Sequence, residues 1–461
     1  MKKLLLVILL SIGFTANTRA SHMMGGQITL EHVSGMDYHL VYTAYRDMTG
    51  IPIALVSNIN FVDSLSGTSF QIAIPYDTSV TVLVPGVEQY VYDTIITFPS
   101  TGQWYISYQE CCRNAAILNM TSPGGEYHHF YSIVQIDSSN STPVFLNPPI
   151  VLAQDSVPFY YNPLPFDADG DSIAWSLDVP LSNNGTPVAG YTLPPSDSLV
   201  PFNMDPITGE ITFLPNTLGN FQVSVRVKEY RNGIQIGEIT RDMQIIVVPS
   251  PNIPVVAMIN ANTAPFNGKS YTIAPGAAFS MNITVFDQDI QAVSISGSGE
   301  PFLLAANPAV LSVTNGTGSA SASVTWTPNA AQARTAPYVI GLRISEPYLN
   351  YVFQSDISVT LRVGIGTTGL NENEKQQAVL ISPNPSDGNF NIQFSAASAD
   401  PVLVRIMSVD GKVAASFTNE MIQSGLNLIQ VNNLNLSKGA YLVQLEQSGR
   451  LVGTQRMVIH Q

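Results

Sequence analysis

The chain has 461 residues, of which 45% are hydrophobic and 11% charged, and its 33 acidic against 19 basic residues give a formal net charge of −14. That hydrophobic content excludes a disordered chain, which combines low hydrophobicity with high charge. The acidic balance would repel phosphate backbones, so no nucleic acid is expected as a partner; divalent cations or neutral glycans suit this surface better.

Residues 1–20 read as an export signal. Lys2 and Lys3 precede LLLVILLSIGF (4–14), an apolar run too short to span a bilayer. TANTRA then puts Thr18 and Ala20 at the −3 and −1 places of a cleavage site between Ala20 and Ser21. Beyond it, HLVYTAYRD (39–47), FQVSVRVKEY (221–230), SASVTW (321–326) and AYLVQLEQ (440–447) alternate with period two between Gly, Pro, Asn and Ser clusters. Many short strands of this kind predict an all-β chain of tandem antiparallel β-sandwiches. NPPI (147–150), VPSPNIP (248–254) and GTTGLNENEKQQ (366–377) mark the joints. The predicted units are 21–148, 149–250, 251–365, a linker at 366–376, and 377–461.

The second and third units look like repeats of each other. PFDADGD (165–171) matches VFDQDIQ (285–291), GEITFLPN (209–216) matches SASVTWTPN (321–329), and VSVRVKEY (223–230) matches IGLRISEP (340–347). Order and spacing agree at all three places.

Cys111 and Cys112, in QECCRN, are the only two cysteines. Neighbouring Cα atoms across a trans peptide lie about 3.8 Å apart, below the usual disulfide range of about 4.4–6.8 Å. A bond between them is a strained ring that stiffens a turn. The alternatives are two inert thiols, or thiols that take a metal or a redox role, for which C-x-x-C is the usual spacing. His128 and His129 would point to opposite faces of a strand and are expected at the surface.

Asp167, Asp169 and Asp171 alternate along one loop, with Gly170 easing the turn. Three carboxylates in this pattern suit a hard cation with oxygen ligands, calcium above all. Glu229 and Asp242 are candidate further ligands. The third unit keeps Asp287, Asp289, Glu346 and Asp356 but has Gln291 at the third loop position, which predicts weaker binding.

Three resemblances follow from these stretches. SHMMGGQITLEH, the YRD strand, YQECCRN and FDADGDSIAWSL, in that order, resemble large extracellular proteins associated with gliding motility in some Gram-negative bacteria, over roughly residues 21–250. Those proteins carry more cysteines in the first domain, so their disulfide pattern does not transfer. The D-x-D-G-D loop resembles cadherin-like and Ig-like calcium-binding sandwiches, in which acidic residues near strand ends, here Glu229 and Asp242, complete the site.

The third is the most specific. PNPSDG (383–388), Asp410–Gly411, LSKGAY (436–441) and the last strand are similar to the type A C-terminal sorting domain of the type IX secretion system. That resemblance implies that a translocon reads residues 377–461, and that the protein is secreted or held on the outer surface of a Gram-negative cell. Asp-Ser/Thr-apolar triplets at Ser64, Thr94, Ser156 and Ser198 resemble the O-glycosylation acceptors of bacteria with this route. Ser172 fits the same pattern but lies in the acidic loop.

No G-x-S-x-G, H-E-x-x-H or complete phosphate-loop sequence is present. The expected role is therefore not enzymatic. It is adhesion, surface-matrix contact or support of gliding, through an unidentified glycan or matrix protein. A glycan hydrolase with its site in 21–148 and a non-binding stalk are the rivals.

Overall fold

The computed structural model describes residues 23–460 except positions 49, 51, 78–80, 138, 199, 250, 268, 365–378, 397, 409–411, 424 and 449. The Ala20–Ser21 junction and the Asp410–Gly411 turn lie outside the described residues. The chain is all-β, built of antiparallel sheets packed as sandwiches. No helix among the described residues is long and apolar enough to cross a membrane.

Alternation works as the pattern requires in the first unit. Leu40, Tyr42 and Ala44 of HLVYTAYRD point into a core shared with Ile28, Phe61, Trp104 and Phe130. The sheet runs, in hydrogen-bonded order, through Ser69–Pro75, Val56–Asp63, Gly102–Cys111, Tyr127–Ile136, Ile234–Val248, Met23–Ser34, Asp37–Asp47, Val87–Thr97 and Thr81–Val84. The fifth strand comes from the second unit. Ile234–Val248 pairs with Tyr127–Ile136 at Glu238 and Ile239, and with Met23–Ser34 at Arg241 and Asp242. Hydrogen bonds therefore cross the 148/149 boundary. The Gly25–Gly26 pair permits this approach, since a Cβ on Gly25 would stand 2.0 Å from the Asp242 carbonyl oxygen.

The second unit places Ser172–Asp178, Gly219–Arg231 and Ile234–Val248 in one sheet. Phe159–Tyr161, Ile211–Phe213 and Asn203–Met204 form the other. The Asn232–Gly233 turn, with φ of 54° and 80°, joins its long hairpin. The third unit repeats the plan. Its last hairpin is Tyr338–Tyr348 with Tyr351–Val363, and Phe279 opposes Trp326 as Phe159 opposes Phe213. In both units a short strand runs parallel to the end of the hairpin, Leu152–Gln154 in one and Ser270–Ile273 in the other.

The third unit is docked onto the first two. Phe353 packs in a cluster with Met24, Tyr45, Val87, Val151 and Leu152. The Asp356 carboxylate accepts from the backbone N–H of Asn162 at 2.9 Å, and Ser358 N–H donates to Glu210 at 3.0 Å. The carboxy-terminal unit is a separate small sandwich around Phe394, Ile406, Val443, Leu445 and Met457.

The cysteine loop is part of the same joint. The structure bonds the Cys111 and Cys112 sulfurs and makes the peptide between them cis, with Cα atoms 3.0 Å apart rather than at the trans spacing. The next residue, Arg113, is fully buried. It donates to Asp242 Oδ2 at 2.9 Å and to the Leu181 carbonyl at 2.8 Å, and its Nη1 lies 3.2 Å from His128 Nδ1. His128 and His129 are buried, against the expectation of surface positions. His128 packs beside Phe130 of the first core on one face, the loop at Gly185 stands against the His129 ring on the other, and Leu181 bridges to His129 at the strand's edge. Burial and the Arg113 charge hold His128 well below its usual pKa.

Breaking a buried ion pair on one side leaves an uncompensated charge. Arg113→Met should therefore cost about 3–5 kcal/mol in urea denaturation. Arg113→Met with Asp242→Leu should recover much of that loss. A single variant as stable as the parent would show that the pair does not hold the joint.

Candidate metal centre at the domain junction

The DADGD loop turns on its own first carboxylate. Asp167 Oδ1 accepts the backbone N–H groups of Asp169 at 3.1 Å and Asp171 at 2.9 Å. Gly170, at φ 85°, lies in the left-handed region that glycine adopts freely. The turn brings one oxygen each from Asp167, Asp169 and Asp171 within 4.8 Å of one another. Glu229 completes the concentration of acid from the neighbouring strand, opposite Gly237. A side chain at 237 would collide with it, since a Cβ there would stand 2.1 Å from Glu229 Oε2.

The first unit supplies the rest of the wall. Ser141 N–H donates to Asp169 Oδ2 at 2.5 Å, and Asn140 is fully buried beside Glu229. Arg231, two residues past Glu229, bonds Asp171 and Asn140.

Glu229 is 0% exposed, and neither of its carboxylate oxygens closes a hydrogen bond. Asp167 Oδ2 is likewise buried without a partner. A buried oxygen left unpaired is costly. Burial, reinforced by the Asp167 and Asp171 charges, pushes the Glu229 carboxyl up to about 9. Burial also raises Asp167 to about 6, opposed by the loop N–H groups and helped by the Asp169 and Asp171 charges. Unpaired oxygens on hard carboxylate donors fit a divalent cation, which would neutralise the charge and satisfy the lone pairs together.

Asp242 does not join this site. It is buried against Arg113, because it opposes Ser224, five residues along the strand from Gly237. In the third unit Asp287 and Asp289 form a similar turn near Glu346, but among the described residues only Asp167, Asp169 and Asp171 bring three ligand oxygens within 4.8 Å of one another. Asp287 accepts the Asp289 N–H at 3.0 Å and also that of Gln291, and Ile253 N–H donates to Asp289 at 2.8 Å. Glu346 is raised to about 7, by burial first, with its Asn252 hydrogen bond opposing and the Asp287 and Asp289 charges adding. Asp356 is excluded from it. It forms a two-point ion pair with Arg343, at 2.8 and 2.9 Å, and caps Asn162.

Asn140, Asn252 and Arg231 were not singled out from sequence. The readable signal was the asparagine ahead of each repeat, and an arginine two residues after Glu229. Among the triplet residues, Ser64, Ser156 and Ser198 are exposed, while Thr94 lies half-buried within a paired strand.

Residues 380–460 match the family described as the secretion system C-terminal sorting domain. The chain is therefore exported through that system and is either attached to the cell surface or secreted. No curated protein matches its sequence. Among solved structures, the zebrafish RET cadherin-like domains 1 to 4 are 10% identical, with 93% of this chain and 83% of that one covered, at a TM-score of 0.16. The major pilin subunit BcpA of Bacillus cereus is 9% identical, over 67% of this chain and 94% of that one, at 0.19. The Dpr2 Ig1–Ig2 structure in complex with DIP-Theta is 8% identical, over 72% and 97%, at 0.17.

A carboxyl whose pKa is raised by folding stabilises below its unfolded value and loses that stabilisation as pH rises through the folded one. With chelator present, Glu229 should lower the melting temperature progressively from about pH 5 to pH 9. Glu229→Gln should flatten that slope and raise the melting temperature at pH 8.5. Parallel pH profiles for parent and variant would contradict the burial account.

Proposed function

We propose that the exported chain is a surface binding protein. Residues 23–363 form its binding block, calcium braces the joint of the first two units, and an uncharged face of the third unit meets a neutral glycan or matrix protein. The observation that carries the binding reading is that face. Its sheet, Val256–Ala261, Phe279–Phe286, Ser319–Trp326 and Val310–Thr314, holds no charged residue, although the chain is strongly acidic. Outward it presents Val256, Met258 and Phe286 beside rows of Asn, Ser and Thr such as Asn260, Asn282 and Ser321. Exposed apolar groups among hydroxyls and amides suit a neutral polar partner. A cleft of about 410 Å³ borders the same sheet, lined by Asn262, Asn307, Trp326 and others, with no carboxylate or imidazole in its wall. The docking of the third unit onto the first two favours a compact block over a stalk of independent beads.

Binding should be tested on a panel of glycans and matrix proteins with the chain lacking residues 1–20. Met258→Glu with Phe286→Asp should abolish the strongest signal without changing the melting temperature by more than a few degrees. Retained binding by a folded double variant would move the site elsewhere.

Calcium binds only the folded state in this reading, so it should raise the melting temperature by mass action. Millimolar calcium should do so and magnesium less, because magnesium prefers a smaller octahedral site. Asp169→Ala should remove most of the effect. The test needs residues 23–148 present, since Asn140 and Ser141 belong to the site. Superimposed melting curves in calcium and chelator would reduce the loop to a solvated turn.

A further inference from the structure

The acidic junction already contains a cation, and the protein supplies it. Arg231 Nε lies 2.9 and 3.2 Å from the two Asp171 oxygens, and Nη2 lies 2.5 Å from Asp171 Oδ2. The same Nη2 donates to Asn140 Oδ1 at 2.7 Å, and Nη1 stands 3.5 Å from Asp137 Oδ2. A planar guanidinium with two parallel bonds is the strongest organic substitute for a metal at a carboxylate. The site is thus divided. On the outer side, Asp171 and Asn140 Oδ1 are held by Arg231. On the inner side, Asp167 Oδ2 and both oxygens of the fully buried Glu229 close no hydrogen bond of good geometry, with Asn140 and Asp171 the polar side chains beside Glu229.

The third unit provides an internal comparison. Asp287, Asp289 and Glu346 occupy the places of Asp167, Asp169 and Glu229, and the same two loop N–H groups donate to the first carboxylate, to Oδ1 alone in Asp167 and to one oxygen each in Asp287. Both partners of the ion pair are replaced: Gln291 stands for Asp171, and Tyr348 stands for Arg231. The negative and the positive member of the pair are lost together. Gln291 Oε1 and Glu346 Oε2 are buried there without partners. Asp171 and Arg231 therefore behave as one device, present in one repeat and missing from the other.

We propose that Arg231 is a tethered competitor of the divalent cation at this junction. Its guanidinium takes the coordination places at Asp171 and Asn140, ties the first two units together when calcium is scarce, and sets the calcium concentration at which the site loads. Loading frees Asp171 and Asn140 for the ion and leaves Asp137 to receive the displaced guanidinium. The proposal rests on the calcium reading of the site and assigns its regulation to one residue.

Calcium titration calorimetry, with melting curves in chelator, tests it on the chain lacking residues 1–20. All variants carry Asp289→Ala, so that the third unit adds no heat. Arg231→Gln should bind calcium about tenfold more tightly or better, as expected for removing a positive charge in contact with the ligands. It should also melt several degrees lower in chelator. Arg231→Lys, which keeps the charge but not the two-point geometry, should fall between parent and Arg231→Gln in affinity. Equal or weaker calcium binding by Arg231→Gln would overturn the proposal and make Arg231 a support for the ligands. Parental affinity in Arg231→Lys would also overturn it, leaving only a through-space charge effect. An unchanged melting temperature of Arg231→Gln in chelator would remove the tie between the units, and the proposal with it. Absence of calcium heat in every chain, parent included, would end the calcium reading itself, which is distinguishable from heat in the parent with no gain in the variant.

Discussion

The strand Ile234–Val248 is the constraint from which the amino-terminal half takes its form. It hydrogen-bonds to Gly219–Arg231, to Met23–Ser34, to Tyr127–Ile136 and, in parallel, to Leu152–Gln154. A strand with partners from two units cannot leave one without breaking the other. It also carries three ionisable residues, Glu238, Arg241 and Asp242, all buried. Each is met by a different part of the chain. Tyr131 donates to Glu238. Arg241 reaches Gln27, the Asn147 carbonyl and Tyr161. Arg113 pairs with Asp242. A shift of register would bury these groups without partners, at a cost far above that of a lost apolar contact. The polar groups thus fix where the strand sits, and apolar burial supplies the stability once it is there.

The QECCRN turn belongs to that logic. Its cysteines draw the eye, yet the residue that reaches across the molecule is Arg113. The turn ends the strand Gly102–Cys111 and sends the guanidinium to a carboxylate 129 residues further along the chain. The sequence showed an unusual cysteine pair with several meanings. The arginine beside it carried no signal, because nothing local says that a charged side chain will be buried.

Local patterns were readable, and long-range partners were not. The alternation in HLVYTAYRD and AYLVQLEQ, the DADGD turn and the PNPSDG-to-LSKGAY sorting region each depend on residues close together in the chain, and each appears in a strand, turn or family match. Asp242 and Asp356 mark the limit. Both are acidic residues on the second strand of the hairpin whose first strand carries Glu229 or Glu346. Whether such a residue faces the loop or an arginine depends on register, which only the pairings Ser224 with Asp242 and Arg343 with Asp356 decide. His128 and His129 failed for a related reason. Polar residues in a strand suggest a solvent face, but their strand is covered on both sides. Asn140 and Arg231 were missed because each completes a site whose core lies in another segment.

The junction site and the shared strand are mechanically one structure. Glu229 lies opposite Gly237, and the next residue, Glu238, opposes Ile133 of the first unit. Asp169 takes the Ser141 N–H, and Arg231 reaches Asn140 and Asp137, all from the first unit's last connection. Any charge entering between Asp167 and Glu229 therefore acts on both units at once. A cation here would relieve repulsion inside the second unit and tighten its seam with the first by the same contacts. The third unit shows what remains when the arginine is absent. Asn252 and Ile253, from the segment joining the second and third units, still close on Glu346 and Asp289. What both repeats retain is a connecting segment drawn onto an acidic loop. The first adds a guanidinium, so that the seam is bridged by a positive charge before any metal is considered.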